Sequence, residues 1–308
     1  MTQPQGEVFD LGYQHYQGPR EGRMRARKAL WVNGVRTALG LGRGTMAKAL
    51  PIVLFVAVML PAVVITIIAS VVDVGDEVPG HSDYYRFVSV ILVLFSAIIA
   101  PELLCPDRRD GVINLYLVRP LTTTDYVLGR WLAFFSVTLA LVLFGQVVLL
   151  IGLTLAAEKP LDYLRDNWLD VPRFILAGAM VAVFTATLPL AVSAFTTRRA
   201  YASAFIIGVL LISIPISVLL SECDKEHQSQ RFEQRCEPAT GGAAKWFALI
   251  NIPQVPMHVN DFIFDVDEED RTSVVVSDLP DIVPVGWYLL LMAGTGFALW
   301  WRYRRIRV

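Results

Sequence analysis

Six stretches of the sequence carry no Asp, Glu, Lys or Arg and are mostly apolar. Five are 20 to 27 residues long, enough for a helix to cross about 30 Å of hydrocarbon. The other, 87–101, has 15 residues and reaches spanning length if it continues through Glu102 to Pro106. The pattern therefore predicts six transmembrane helices in a membrane domain at 47–301. Their predicted positions are 47–72, 87–106, 128–157, 173–197, 200–221 and 282–301.

The composition supports an all-α polytopic membrane protein. Apolar residues make up 55% of the chain, charged residues make up 18%, and the mean hydropathy is +0.51. A soluble domain needs a more polar surface, so a water-soluble enzyme is disfavoured. The first 46 residues have no apolar core, so we expect no N-terminal signal peptide.

Charge divides unequally between the two sides that six crossings create. One side holds 18 basic and 7 acidic residues, and the other holds 9 basic and 21 acidic residues. The basic side comprises 1–48, 102–130, 198–199 and the tail 302–308, and the acidic side comprises 73–86, 158–173 and 222–281. Lys and Arg concentrate in cytoplasmic loops. We therefore expect both termini in the cytoplasm.

The cytoplasmic arm at 1–46 contains a basic amphipathic segment. Its key residues are Arg23, Arg27, Trp31, Val35 and Arg36. Basic and apolar side chains at helical spacing predict an interfacial helix that lies on the inner leaflet, with membrane lipid as its partner. A merely solvated basic tail is the alternative. Nucleic acid is disfavoured as a partner, because the arm runs directly into a membrane helix.

The segment at 222–281 is a 60-residue extracellular insertion between the fifth and sixth membrane helices. A connection of that length should have structure of its own. Cys223 and Cys236 lie in it, on the oxidising side of the membrane, so we predict a disulfide between them. Two free thiols in a flexible loop are the alternative.

A second charge-free run at 246–260 lies within this insertion. Pro253 and Pro256 interrupt it, so the run predicts a re-entrant or interfacial segment rather than a seventh span. The acidic stretch 265–270 follows, but it lacks the glycine and the final glutamate of a calcium-binding EF-hand loop. We therefore expect a solvated acidic edge and no metal site.

Motifs for catalysis and for nucleotide binding are absent from the sequence. It contains no His-Glu-x-x-His, no Gly-x-Ser-x-Gly and no P-loop. We therefore expect no catalytic residue and no cofactor in this chain, and an intramembrane enzyme is the least favoured interpretation.

The connection at 101–131 carries the most informative pattern. A glutamate near the end of the second membrane helix precedes a charged turn, a short apolar helix, an Arg-Pro pair and a polar turn that opens the third membrane helix. The residues that we single out are Glu102, Asp107, Arg108, Arg109, Asp110, Gly111, Leu115, Tyr116, Arg119 and Pro120. We expect four exposed charges at 107–110, a sharp turn at Gly111, and an end to the helix at Arg119, because the residue before proline disfavours helix. Glu102 should pair with a nearby basic residue or a backbone amide.

This connection resembles that of the ABC-2 type permeases, the membrane subunits of ATP-driven exporters. The basic arm, the six spans with both ends inside and the broken outer segment support the resemblance, although the insertion here is longer. The resemblance implies a homodimer or pseudo-dimer in a bacterial plasma membrane that exports a lipid-like, drug-like or polymeric substrate. Two ATPase subunits, which bind the ATP and Mg²⁺, would dock on a cytoplasmic coupling helix in the connection. A membrane scaffold whose insertion binds an extracellular partner is the alternative.

Overall fold

The computed structural model describes residues 18, 22–41, 44–71, 79–118, 121–221, 241–267, 270–277 and 279–305. All the regular structure in these residues is helical. The α-helices are α1 (Arg23–Ala38), α2 (Thr45–Val71), α3 (His81–Arg109), α4 (Val112–Val118), α5 (Thr123–Ala156), α6 (Pro160–Asp166), α7 (Asp170–Ser193), α8 (Arg199–Ser221), α9 (Ala244–Ala248), α10 (Val255–Phe264), α11 (Val274–Ser277) and α12 (Ile282–Arg304).

Six of these helices, α2, α3, α5, α7, α8 and α12, are long and apolar enough to cross a membrane. The chain is therefore a multi-pass membrane protein, and the prediction of six spans is confirmed. Most boundaries differ from the predicted ones by a few residues.

The second span is the largest correction, because α3 begins at His81 rather than at residue 87. Asp83 accepts a hydrogen bond from the Gly80 amide at 2.9 Å and so caps the helix. Arg86 forms an ion pair with Asp261 at 3.0 Å. Because both charges have partners, the span can include them, and Glu102 is not its only acidic residue.

The core of the bundle is formed by α3, α5 and α7, while α2, α8 and α12 are the least covered spans. Aromatic side chains fill the space between the central helices, as where the Phe95 and Phe134 rings meet at 5.7 Å. Gly145 of α5 makes room for Tyr84, since a Cβ atom at that position would lie 1.8 Å from the tyrosine oxygen. Close packing of this kind fixes the relative positions of the spans.

The bundle has two distinct ends. At the arm end, α1 packs beside α3 and the start of α5, and the ends of α3, α7 and α12 lie near the same end. At the insertion end, α10 lies beside the starts of α3 and α12, and α9 and α11 pack on each other and on the start of α12. The two sides that differ in charge in the sequence therefore correspond to the two ends of one bundle.

The described part of the insertion is helical and broken where the sequence predicted. The run at 246–260 divides into α9, a 3-10 turn at Ile252–Gln254 and α10, and Pro253 and Pro256 lie at the break. Helix α10 packs among α3, α7 and α12. Cys223 and Cys236 lie outside the described residues, so their disulfide stays a prediction. Among the described residues, no group of His, Cys, Asp and Glu side chains could hold a metal ion.

Buried polar groups anchor α10 at the insertion end. Asp261 accepts hydrogen bonds from Arg86 and, at 2.7 Å, from the Thr272 amide. His258 is also buried, and its loss of solvation lowers its pKa to about 4. Nearby Asp261 opposes this shift and favours the charged imidazole, but burial is the larger effect.

Candidate functional site

Helix α1 packs closely along the first four turns of α5. Leu30 meets Gly129, and Gly34 meets Ala133 one turn further along both helices, so the two helices run parallel. A Cβ atom on Gly34 would lie only 2.5 Å from the Ala133 Cβ atom. This spacing requires glycine, and it shows that α1 belongs to the bundle rather than resting on a membrane surface by itself.

A buried carboxylate holds the start of α1. The Asp125 side chain is 5% exposed and forms ion pairs at 2.6 Å with both Arg23 and Arg27. It also accepts the Thr122 amide at 2.9 Å while the Thr122 hydroxyl accepts the Asp125 amide, which is a capping box at the start of α5. Two of the arm's predicted lipid-facing arginines are therefore bound to the protein.

The remaining predicted residues of the arm helix lie on a different face. Trp31 and Val35 point toward a space between α1, α2 and α5, and the Trp31 indole donates to the Ser136 hydroxyl at 3.2 Å. Arg36 is exposed. A helix is present where the sequence predicted one, and its most buried face is formed by Leu30, Gly34 and Ala38.

Asp107 joins the end of α3 to α5. It accepts a hydrogen bond from the Tyr126 hydroxyl at 2.7 Å and forms an ion pair with the buried Arg130 at 2.6 Å. The Tyr126 ring packs against Tyr303 of α12 at 5.4 Å. Asp107 is thus an internal tie between three spans, and our expectation that it is an exposed charge is wrong.

Arg108 is also turned inward. Its guanidinium donates to the carbonyl oxygens of Ala194 and Thr196, just beyond the end of α7. A cation in this position stabilises carbonyl groups that have no partner within the helix. Our expectation of an exposed Arg108 is therefore wrong as well, because the unpaired carbonyls of α7 bind it.

Glu102 lies six residues before Arg108 on α3 and pairs with Arg199, the first residue of α8, at 2.5 Å. This is the kind of basic partner that the sequence analysis expected. Together with Arg108, it ties the end of α3 to the connection between α7 and α8.

Helix α4 is the short helix predicted between the second and third spans. Gly111 precedes it with a φ of +69°, a conformation that favours glycine and produces the sharp turn. Ile113 is buried, and the Tyr116 ring lies 5.8 Å from Tyr126. Leu115, by contrast, is 74% exposed. Helix α4 is therefore fixed to the bundle on one face and presents an apolar residue on the other.

Arg109 and Asp110 are the charges of the connection that do face outward. They pair with each other at 2.9 Å, and the hydrogen bond from Arg109 lowers the pKa of the Asp110 carboxyl. With Leu115 they form the outward surface of the connection, which we call the α4 surface. Arg119 and Pro120 lie outside the described residues.

Asp125, Arg199 and Tyr303 are not among the site residues predicted from the sequence. The motif Thr122-x-x-Asp125 resembles a capping box and could have identified Asp125. No local pattern pairs Arg199 with a glutamate in another span.

No protein-family model matches the chain, and no curated protein matches its sequence. The geometry of the arm end and the resemblance of the 101–131 connection are therefore the grounds for a functional assignment.

Proposed function

We propose that the chain is the permease subunit of an ATP-driven exporter of the ABC-2 type. In this proposal it works as a homodimer in a bacterial plasma membrane, with both termini in the cytoplasm. Two separate ATPase subunits bind ATP and Mg²⁺ and dock on the α4 surface. The cargo class is lipid-like, drug-like or polymeric.

The observation that carries the proposal is that α4 packs on the bundle with one face and exposes the other. A coupling element must present a surface to a partner and must also be rigidly attached to the spans that it moves. Leu115 offers the first property, because it is exposed on a helix that lies between two spans. Ile113 and Tyr116 provide the second, because they pack on the bundle.

A continuous set of contacts leads from α4 into the bundle. Tyr116 packs on Tyr126, which bonds to Asp107 and thereby joins α5 to α3. Arg108 and Glu102 continue the path to the connection before α8. Rigid ties of this kind let a displacement of α4 move several spans together.

The proposal predicts that a P-loop ATPase co-purifies with the full-length chain from its native membranes, and that Leu115→Asp removes it. An exposed apolar residue in the middle of an interface is worth about 2 kcal/mol or more when it is a hot spot. We therefore expect at least a tenfold loss of co-purified ATP hydrolysis, because the introduced carboxylate would be desolvated on docking. Mass spectrometry identifies the ATPase, and the ATP hydrolysis rate measures its amount.

Leu161→Asp is the matched control. Leu161 is 83% exposed on α6, which has seven residues like α4 but follows α5 toward the insertion end. It should leave the ATPase bound. If the Leu115→Asp chain retains a wild-type amount of ATPase, docking on α4 is wrong. If the wild-type chain captures no ATPase, the exporter proposal fails and the scaffold interpretation gains support.

A further inference from the structure

A groove opens between α1, α2 and α5 near the arm end. Its volume is about 340 Å³, and Trp31, Val35 and Leu39 of α1 form one wall. Phe55 of α2 and Phe144 of α5 lie opposite, with ring centroids 5.3 Å apart. Besides Trp31, Ser136 is the only polar side chain that lines the groove, and the Trp31 indole donates a hydrogen bond to the Ser136 hydroxyl. We call this space the arm groove, and its surface favours an apolar occupant.

The depth of the arm groove matches one leaflet. Its α5 wall runs from Ser136 to Phe144, which is about 12 Å at 1.5 Å per residue. Half of a 30 Å hydrocarbon layer is about 15 Å. This wall also lies in the charge-free part of α5 that begins after Arg130. The groove is therefore of the right length and position for a single acyl chain.

Lys28, an exposed cation of α1, lies on the arm-end side of this groove. Lys28 is three residues before Trp31 and seven before Val35, so it shares their face of α1. Because α1 and α5 run parallel, Lys28 lies nearer the arm end than the groove does. Among the described residues it has no hydrogen-bond or ion-pair partner, whereas Arg23 and Arg27 are bound to Asp125.

We propose that the arm groove binds one anionic phospholipid, with an acyl chain between α1, α2 and α5 and its phosphate at Lys28. The groove supplies an apolar site of leaflet depth, and Lys28 supplies the complementary charge at its headgroup end. The bound lipid completes the packing of α1 on the side that α5 does not cover. The proposal does not depend on transport or on an ATPase.

Native mass spectrometry of the full-length chain in detergent tests the proposal. The probes are phosphatidylglycerol and phosphatidylcholine with identical dioleoyl chains. We expect the wild type to bind phosphatidylglycerol at least fivefold more tightly. Lys28→Gln should lower that affinity about fivefold, to the level of phosphatidylcholine, because one basic residue near an anionic headgroup contributes about 1 kcal/mol.

Two comparisons of variants separate the effect of the Lys28 charge from the effect of the shape of the groove. Arg36→Gln removes an exposed cation from another face of α1 and should leave the preference unchanged. Ala140→Phe fills the groove and should weaken binding of both lipids, whereas Ala298→Phe, in a different apolar cavity beside α7 and α8, should not. Equal affinity for the two lipids, or an unchanged affinity in Lys28→Gln, would overturn the proposal.

Fluorescence quenching tests the position of the chain in the unmodified groove, and so does not rely on Ala140→Phe folding. Phosphatidylglycerol with brominated acyl chains should quench the emission of Trp31, whose ring forms part of the groove wall. The Trp31→Phe variant lacks this component of the emission. If quenching is identical in the wild type and in Trp31→Phe, no acyl chain occupies the groove.

Discussion

Replacing Asp125 by Asn removes the charge that holds α1 on α5 and keeps the shape of the side chain. Asp125 accepts hydrogen bonds from Arg23 and Arg27 at 2.7 Å each, and it closes the capping box with Thr122. An asparagine can keep one acceptor oxygen for the cap. It cannot neutralise two guanidinium groups, so the tie between the helices is lost.

The size of the effect follows from exposure. Asp125 is buried, but Arg23 and Arg27 are 46% and 44% exposed, so water screens their charges. Each pair is then worth about 0.2 to 1 kcal/mol, and the capping box adds nothing to the docking of α1, because Thr122 and Asp125 both belong to the start of α5. We expect a total of about 1 kcal/mol, which corresponds to a roughly fivefold larger population in which α1 is detached.

Hydrogen exchange measured by mass spectrometry on the purified chain checks this value. The amides of α1 should lose about fivefold in protection, and those of the buried α7 should be unchanged, because the opening is local. Asp162→Asn is the control, since Asp162 is an exposed residue of α6.

A change of less than twofold in α1 would refute this reasoning. The close contact of Gly34 with Ala133 would then be sufficient to hold the arm. Equal loss of protection in α1 and α7 would also contradict it, because the substitution would then destabilise the whole bundle.

Three further predictions concern other parts of the chain. His258 is neutral in the fold and has a pKa of about 4 against 6.5 when unfolded, so its contribution to stability should fall as pH drops below 6.5, by about 3 kcal/mol at pH 4; thermal unfolding should show a fall that is larger in the wild type than in His258→Gln by about this amount. In a cysteine-free background, an impermeant thiol reagent added outside should label Gly242→Cys and not Asn114→Cys, and the reverse would invert the proposed orientation. Cys223 and Cys236 should form one bridge worth about 3 kcal/mol, so Cys223→Ser should change the mobility of the non-reduced chain in a gel and lower its thermal stability; unchanged values would contradict the bridge.

The spans were predictable because membrane crossing needs only a long apolar run, which is visible without knowing any partner. The run at 131–157 is an example, since α5 covers nearly all of it. The start of α3 was not predictable in this way. Arg86 interrupts the apolar run, and its partner Asp261 lies 175 residues further along the chain.

The candidate site likewise has features that local residues predict and features that depend on distant partners. The turn at Gly111 and the short α4 follow from local residue preferences. The inward positions of Asp107 and Arg108 do not, because they depend on Arg130 and on the carbonyl groups after α7. A charged turn between spans suggests exposed charges until the three-dimensional partners are known.

The contacts of Arg108 also bear on the order in which the protein folds. Its carbonyl partner at Ala194 is 86 residues away, and the Glu102 partner Arg199 is 97 residues away. Neither contact can form until α7 has been synthesised and has packed against α3. Contacts of such long sequence separation form late, because the intervening chain must first be brought together. These two contacts of the arm end therefore form only after the fourth span is in place, so interrupted synthesis before that point leaves Glu102 and Arg108 without these two partners.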